Sequence, residues 1–388
     1  MKKKIVILGS TGSIGKTLIN ILKKENTKIE LSLISANKNI TELLKQVNFF
    51  NVKNIIVTDY KKFLQVKKIL KKKDINIYND FISVDKILKK KNIDYVMSAI
   101  SGLNGLDPTL RIIKYTKNIA IANKESIICG WPLIKKALFK NKTKFIPIDS
   151  EHFSIYSLIG GLKNKNIEKI YITASGGPFL NLPLEKFKSI KLKAALNHPN
   201  WKMGHKISID SATMMNKVFE VIEAKKIFDI NYNDLNSLVH KDSYVHAIVK
   251  FKNGLTKMLI HDTNMKIPIF NSLHEKSNKK ILSKDLDFSI INSLNFKKID
   301  FNRFPAVKII KQLPQENTLF ETILVTANDE LVKMFLKGKI KFTDISKTLL
   351  RILKIKEFIK YKGIIPKNIN DILDLSNYVS LKINALDI

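Results

Sequence analysis

Cysteine is almost missing from this 388-residue chain: Cys129 is the only one. No internal disulfide can form, so nothing calls for an oxidising compartment, and the cytoplasm is the expected location. Long apolar runs are missing as well. The run Ile5–Leu8 behind Lys2-Lys3-Lys4 stops at Gly9, too short for a secretion signal. No later run approaches the ~18 apolar residues of a membrane span, so no membrane partner is expected. Acids are scarce: 34 Asp and Glu stand against 68 Lys and Arg, a formal net charge of +34. Such a balance is the footprint of a nucleic-acid binder. Here, however, the lysines are spread over predicted surface helices, as in Lys61-Lys62, Lys71-Lys72-Lys73 and Lys89-Lys90-Lys91, and no nucleic-acid motif accompanies them. The charge reads as composition drift on solvated faces. No nucleic-acid partner is expected, although the positive field would gather an anionic small molecule.

What is present describes a globular protein of two or three domains, with 45% hydrophobic and 26% charged residues. A short β run to Leu8 leads into Gly9-Ser10-Thr11-Gly12-Ser13-Ile14-Gly15 and then a helical pattern at Leu18, Ile21 and Leu22. Strand, glycine-rich turn and helix bring backbone N–H groups and a helix N-terminus against a pyrophosphate. The second strand, Ile29 to Ser35, ends in Ala36-Asn37-Lys38-Asn39, with no acid to take a ribose 2′-hydroxyl and a lysine that suits a 2′-phosphate. NADP(H) is therefore the expected dinucleotide. Alternating β and α segments continue to Ile119–Ala122, followed by Asn123-Lys124-Glu125-Ser126, and imply a parallel sheet covered by helices. Ligands in such sheets bind at the carboxyl ends of the strands, where Asn123, Lys124 and Glu125 fall.

The run Phe145–Ile148 reads as another strand and opens onto Asp149-Ser150-Glu151-His152. Extended backbone would point Asp149 and Glu151 the same way, with Ser150 opposite. Two readings stay open on these residues alone: a solvated polar turn, or ligands for a hard cation such as Mg²⁺ or Mn²⁺. Further on, a strand Lys169–Ala174 runs into Ser175-Gly176-Gly177-Pro178-Phe179, which fits an anion-holding turn. The loop Asn197-His198-Pro199-Asn200-Trp201-Lys202-Met203-Gly204 has the parts of a lid. In Asp210–Glu220, Met215, Val218, Phe219 and Ile222 form the stripe of a helix, which places Asn216, Lys217 and Glu220 on one edge and Ser211 at the helix start. Val245–Phe251 and Leu255–Ile260, joined by Asn253-Gly254, predict a hairpin apolar enough for an interface. Lys276–Lys284 is linker-like, and from about Phe301 the pattern is helical.

With these residues placed, the chain resembles the 1-deoxy-D-xylulose 5-phosphate reductoisomerase family. The likeness is carried in order by Gly9–Gly15, Ala122–Ser126, Pro147–His152, Ser175–Phe179, His198–Trp201 and Asp210–Lys217. It implies an oxidoreductase that uses NADPH and Mn²⁺ or Mg²⁺, with Co²⁺ as an alternative, to rearrange and reduce a sugar phosphate as a homodimer. By the same likeness Asp149, Glu151 and Glu220 hold the metal. Ser175, His198, Ser211, Asn216 and Lys217 hold the substrate phosphate, Lys124, Ser150 and Glu151 face the reacting carbons, and Trp201 lies over the substrate. Thr11, Gly12, Ser13, Ile14, Asn37, Lys38, Asn39, Asn123, Glu125, Met203 and Gly204 match cofactor positions. Asn37 stands where the family often has glycine, and beyond Gly254 the match thins. The expected organisation is an α/β chain: a Rossmann-like NADPH-binding domain over 1–149, a catalytic, metal-binding and dimerising α+β domain over 150–275 with a mobile lid, a linker over 276–300 and a helical domain over 301–388. The first half alone would also serve an NADP dehydrogenase for another small substrate.

Overall fold

Short runs rich in Ile and Val, each ended by a polar or glycine-containing turn, form seven strands: β1 Lys3–Leu8, β2 Ile29–Ala36, β3 Asn54–Val57, β4 Asn76–Tyr78, β5 Tyr95–Ser98, β6 Asn118–Ile121 and β7 Lys144–Pro147. The computed structural model describes residues 2–89, 92–161, 166–201, 203–275 and 278–386; Lys90, Lys91, Lys202 and Lys276, named above in basic and loop segments, lie outside these. All pairings in the sheet are parallel, in the order β4-β3-β2-β1-β5-β6-β7. Strands covered on both faces need no polar alternation, which is why β1, β3 and β5 are buried over most of their length. The order runs outward from β1 in both directions, and the reversal between β1 and β5 is the crevice where such sheets hold a dinucleotide. This is the Rossmann-like sheet that the alternating pattern predicts.

The turn after β1 requires glycine. Gly9 has φ of +80°, and a Cβ there would lie 2.6 Å from the carbonyl oxygen of Ala99. The turn therefore packs directly on the chain leaving β5.

The chain divides into two units. One comprises Met1–Ile127, Pro132–Asp149 and Met265–Ile281; the other comprises Ile128–Trp131, Ser150–Asn264 and Leu282–Ile388. In the first, Ile5, Leu18, Leu31, Ile55, Tyr95, Ile148, Ile269 and Leu273 share one core, so the helix Lys266–Leu273 packs with the nucleotide-type sheet.

The second unit holds a five-stranded sheet made of β8 Ile167–Ala174, β9 Leu235–Val239, β10 Val245–Phe251, β11 Thr256–Ile260 and β12 Lys297–Lys298, in the order β11-β10-β8-β9-β12. β10 and β11 form the expected hairpin, with Gly254 at φ +86° in its turn. β12 and the helix Phe288–Asn292 lie within the stretch 276–300, and β12 pairs with β9. The helices Phe320–Leu336, Phe342–Ile352 and Ile369–Asn384 account for the helical pattern after Phe301. They are tied to the middle of the chain by a buried ion pair, Lys226 to Glu321 at 2.9 Å, both side chains 1% exposed. Among the described residues no helix is long and apolar enough to cross a membrane.

Two local expectations are corrected. Ser150–Ile159 is a helix, so Asp149, Ser150 and Glu151 do not alternate along a strand. The helix expected over Asp210–Glu220 is two helices, His205–Ala212 and Met215–Phe228, broken at Met214, whose φ of 61° is left-handed. Ser211 thus lies in the last turn of the first helix and not at a helix start.

Replacing Gly9 by alanine should cost about 1–3 kcal/mol, because the side chain meets both a left-handed φ and a carbonyl wall. Denaturant unfolding of the Gly9→Ala protein measures this; an unchanged midpoint would contradict the packing described.

Candidate active site

In the first unit, the glycine turn is held by Ser35: the Gly9 N–H donates to its Oγ and the Ser10 N–H to its carbonyl, both at 2.9 Å. Gly12 precedes the helix Ser13–Leu22 without a side-chain cap, and Gly12 and Ser13 are exposed, with Thr11 and Ile14 half-buried. Uncapped N–H groups at a helix N-terminus are a ready anion site. After β2, the Asn37 amide donates to Thr58 Oγ1 at 2.8 Å, and Asn39 Oδ1 accepts from the Glu42 N–H at 3.2 Å, capping the next helix. Asn37 and Asn39 thus have structural partners, while Lys38 is exposed and carries the charge that a 2′-phosphate needs.

At the carboxyl ends of β5 and β6, Asn123 uses both ends of its amide. Its Nδ2 donates to the carbonyls of Ile100 and Gly102, and its Oδ1 accepts from the Ser126 N–H at 2.7 Å. That caps the helix Lys124–Asn141, which carries Lys124 and the buried Glu125 in its first turn. The Lys124 ammonium donates to the Asp149 carboxylate just past β7.

In the second unit, Glu151 stands in the first turn of the helix Ser150–Ile159 and Glu220 one turn into Met215–Phe228. Lys217, one turn before Glu220, places its ammonium on both: it donates to Glu151 Oε1 at 2.9 Å, to Glu220 Oε2 and to the Thr173 carbonyl at the end of β8. The remaining oxygens are also engaged, Glu151 Oε2 by the Ser150 hydroxyl at 2.6 Å and Glu220 Oε1 by the Asn216 amide. Amide, ammonium and carboxylate share one edge as the i, i+1, i+4 spacing predicts. The pair is no surface salt bridge: the Lys217 and Glu220 side chains are 5% and 1% exposed. Burial works to lower the Lys217 pKa, but the charges of Glu151 and Glu220 outweigh it and hold it above the ordinary lysine value.

Within the second unit, Glu151 and Glu220 each offer one carboxylate oxygen within 4.8 Å of the other. These two meet although Glu151 lies on a helix and not on the strand expected for it. An all-oxygen donor set suits Mg²⁺ or Mn²⁺. His152 and Glu223 of the same unit meet the same distance condition, but His152 Nε2 is 2.9 Å from the Glu220 carbonyl and an imidazole donor favours softer ions.

Beside this cluster, Ser175 follows β8. Its Oγ accepts from the Gly177 N–H at 3.0 Å and lies 3.0 Å from His198 Nε2. His198 Nδ1 accepts two backbone N–H groups, from Asn200 at 3.1 Å and Trp201 at 3.0 Å. Nδ1 is therefore unprotonated, the proton sits on Nε2, and Nε2–H donates to Ser175. With two donors already on its oxygen, the Ser175 hydroxyl has its own hydrogen left for an anion. Burial keeps the imidazole neutral, with its pKa lowered to about 4. Gly177 packs against Ser211, where a Cβ would lie 2.9 Å from the Ser211 carbonyl, so Ser175 and Ser211 border one turn.

The loop after His198 is anchored by the Asn200 amide, which donates to the Lys241 carbonyl at 2.6 Å and to Ser243 Oγ at 3.0 Å. Trp201 meets His246 edge-on at 6.1 Å, and His246 stacks on His261 at 3.7 Å. Met203 is half-buried, and Gly204 precedes the helix His205–Ala212. Sequence reasoning gave no role to His152, His246 or His261, nor to Asn328, whose amide donates to the buried Asp210 at 2.7 Å. His152 was visible inside the quoted Pro147–His152 stretch; the others carry no local signal, because strand pairing and helix packing bring them in.

Comparison with known proteins gives a consistent result. Three family models match: 1-deoxy-D-xylulose 5-phosphate reductoisomerase over residues 5–130, its C-terminal domain over 145–228, and the DXP reductoisomerase C-terminal domain over 261–380. The likeness therefore continues past Gly254, where motifs alone thin out. The chain is 59% identical over 387 residues to 1-deoxy-D-xylulose 5-phosphate reductoisomerase of Pelagibacter ubique (strain HTCC1062), covering 100% of both chains. It is 36% identical to that of Clostridium tetani (strain Massachusetts / E88), covering 98% of this chain and 100% of the other. Among solved structures, it is similar to the Zymomonas mobilis enzyme in complex with NADPH, with TM-score 0.87, 28% identity and 99% of each chain covered. A DOX-P reductoisomerase in complex with NADPH, fosmidomycin and magnesium superimposes with TM-score 0.89 and 29% identity, over 99% of this chain and 98% of the other.

His198 titrates near 4 when folded, against an ordinary value of 6.5, and His246 is likewise lowered to about 4 by burial and then by His261. Between those values the unfolded chain binds more protons, so stability falls as pH drops from about 6.5 towards 4 and is flat with respect to these groups below that. Thermal unfolding between pH 7 and 4 should fall more steeply for the wild type than for His198→Gln; parallel curves would contradict the neutral, doubly accepting imidazole.

Proposed function

We propose, from the premise that this chain belongs to the 1-deoxy-D-xylulose 5-phosphate reductoisomerase family, that Glu151, Lys217 and Glu220 form the centre of its active site. The chain is an NADP-dependent oxidoreductase that converts 1-deoxy-D-xylulose 5-phosphate to 2-C-methyl-D-erythritol 4-phosphate, in the non-mevalonate route to isoprenoid precursors, using NADPH and a divalent metal. The observation that carries the reading of the site is the convergence of Glu151 and Glu220 on one ammonium in the unit that also holds the Ser175–Gly177 turn.

Asp149, Glu151 and Glu220 hold the divalent cation, Mg²⁺ or Mn²⁺. When bound, the cation stabilises negative charge on substrate oxygens and NADPH supplies a hydride. The rest falls to side chains of this chain. Ser175 gives its hydroxyl hydrogen to the substrate phosphate, and the neutral His198 fixes the rotamer of Ser175 by occupying its oxygen. Ser211, Asn216 and Lys217 complete the phosphate pocket. Ser150 steadies Glu151, and Lys124 and Glu151 are the titratable groups that can hold or return a proton on a substrate hydroxyl. Trp201 closes over the substrate and excludes water, braced from below by His246. Thr11, Gly12, Ser13, Ile14, Asn123 and Glu125 hold the dinucleotide, Lys38 takes its 2′-phosphate between the fixed amides of Asn37 and Asn39, and Met203 and Gly204 border the nicotinamide.

The protein acts in the cytoplasm as a homodimer. Supporting the dimer, β11 is an edge strand, and Leu255 and Met258 beside its free edge are 56% and 48% exposed. Supporting the location, the chain's one cysteine, Cys129, is buried.

With substrate and Mg²⁺ or Mn²⁺ supplied, NADPH oxidation should be seen at 340 nm, a wavelength set by the reduced nicotinamide; chelation by EDTA should stop it. Glu220→Gln should lower kcat at least ~100-fold, more than the loss of an outer-sphere metal partner. Metal-independent turnover that survives Glu220→Gln would instead support a plain NADP dehydrogenase.

A further inference from the structure

Lys217 is the one cation in the second unit seen bridging the two glutamates among the described residues, and it sits where a divalent ion must come. Its ammonium reaches Glu151 Oε1 and Glu220 Oε2, while Ser150 and Asn216 donate to the other oxygen of each carboxylate. It also donates to the Thr173 carbonyl, two residues before Ser175. One ammonium therefore lies between the carboxylate pair on one side and the start of the anion-holding turn on the other. A lysine side chain has four rotatable bonds, so a short swing exchanges one set of partners for the other.

We propose that Lys217 couples metal binding to phosphate binding. In the ligand-free protein its ammonium neutralises Glu151 and Glu220 and opposes a divalent cation electrostatically. A phosphate held at Ser175 draws the ammonium away and frees both carboxylates. The two ligands then bind cooperatively, and by linkage each tightens the other by the same factor. The proposal rests on the reading above that Glu151 and Glu220 are metal ligands and that Lys217 faces the phosphate.

The test is Mn²⁺ titration of the whole chain without cofactor or sugar, with free Mn²⁺ read by electron paramagnetic resonance. Titrations are run with and without saturating inorganic phosphate, and buffer blanks correct for Mn²⁺ complexed by phosphate. For the wild type, phosphate should lower the Mn²⁺ Kd by at least about fivefold, the lower end of ordinary coupling. Lys217→Met should bind Mn²⁺ at least about fivefold more tightly than the wild type without phosphate, and phosphate should then have no further effect. Direct bridging of phosphate to the metal predicts the opposite, coupling that survives in Lys217→Met, and overturns the proposal. So does a wild-type Kd that ignores phosphate, a result that needs no variant and stands even where Lys217→Met fails to fold. No Mn²⁺ binding by the wild type under either condition would remove the ligand assignment itself, which separates failure of the site reading from failure of the coupling.

Discussion

Two carboxylates that face each other in a buried place must share a positive charge. Glu151 and Glu220 are brought together by different helices, and the Lys217 ammonium is what makes that arrangement tolerable: all four carboxylate oxygens have a donor, and the lysine has three acceptors. Removing one partner from such a buried cluster costs about 3–5 kcal/mol, because a charge is left uncompensated. The same constraint explains how the second unit folds with three charges packed together.

The scaffold follows from that demand. Glu220 and Lys217 are one turn apart because the helix starts at Met215, and it starts there because Met214 adopts a left-handed conformation that ends the preceding helix. The break turns the His205–Ala212 helix away, so that Ser211 borders the Gly177 turn and Asp210 is buried against Asn328 from the C-terminal helices. The helical C-terminal part of the chain therefore helps to hold the segment that leads into the site, and the Lys226–Glu321 pair fixes the far end of the same helix.

Much of this was legible in the residues. The Rossmann-like sheet shows because each strand is a short apolar run cut off by a turn, and because Gly9, Gly12 and Gly15 stand at the first strand-to-helix junction. The glycine turn after β8, the loop with Trp201 and the hairpin at Gly254 show for the same reason, since backbone demands are written in glycine and proline. The errors have physical causes. Ser150–Ile159 hides its helical period by burying Ser150, His152 and Ser154 beside Ile155 and Ile159, so polarity gives no face. The break at Met214 uses neither glycine nor proline, and a methionine in that conformation sends no local signal. A lysine three residues before a glutamate is ordinary on a helix surface; only the packing of β8 and the helix Ser150–Ile159 makes this pair buried.

The most direct measurement is diffraction from crystals soaked in Mn²⁺, with data collected at the manganese absorption edge. The account predicts an anomalous peak about 2.1–2.2 Å from oxygens of both Glu151 and Glu220, near the Mg²⁺ bonding distance, with Asp149 as a further ligand and the Lys217 ammonium moved off the carboxylates. A manganese peak that avoids Glu220 while Lys217 keeps its place between the two glutamates would contradict it.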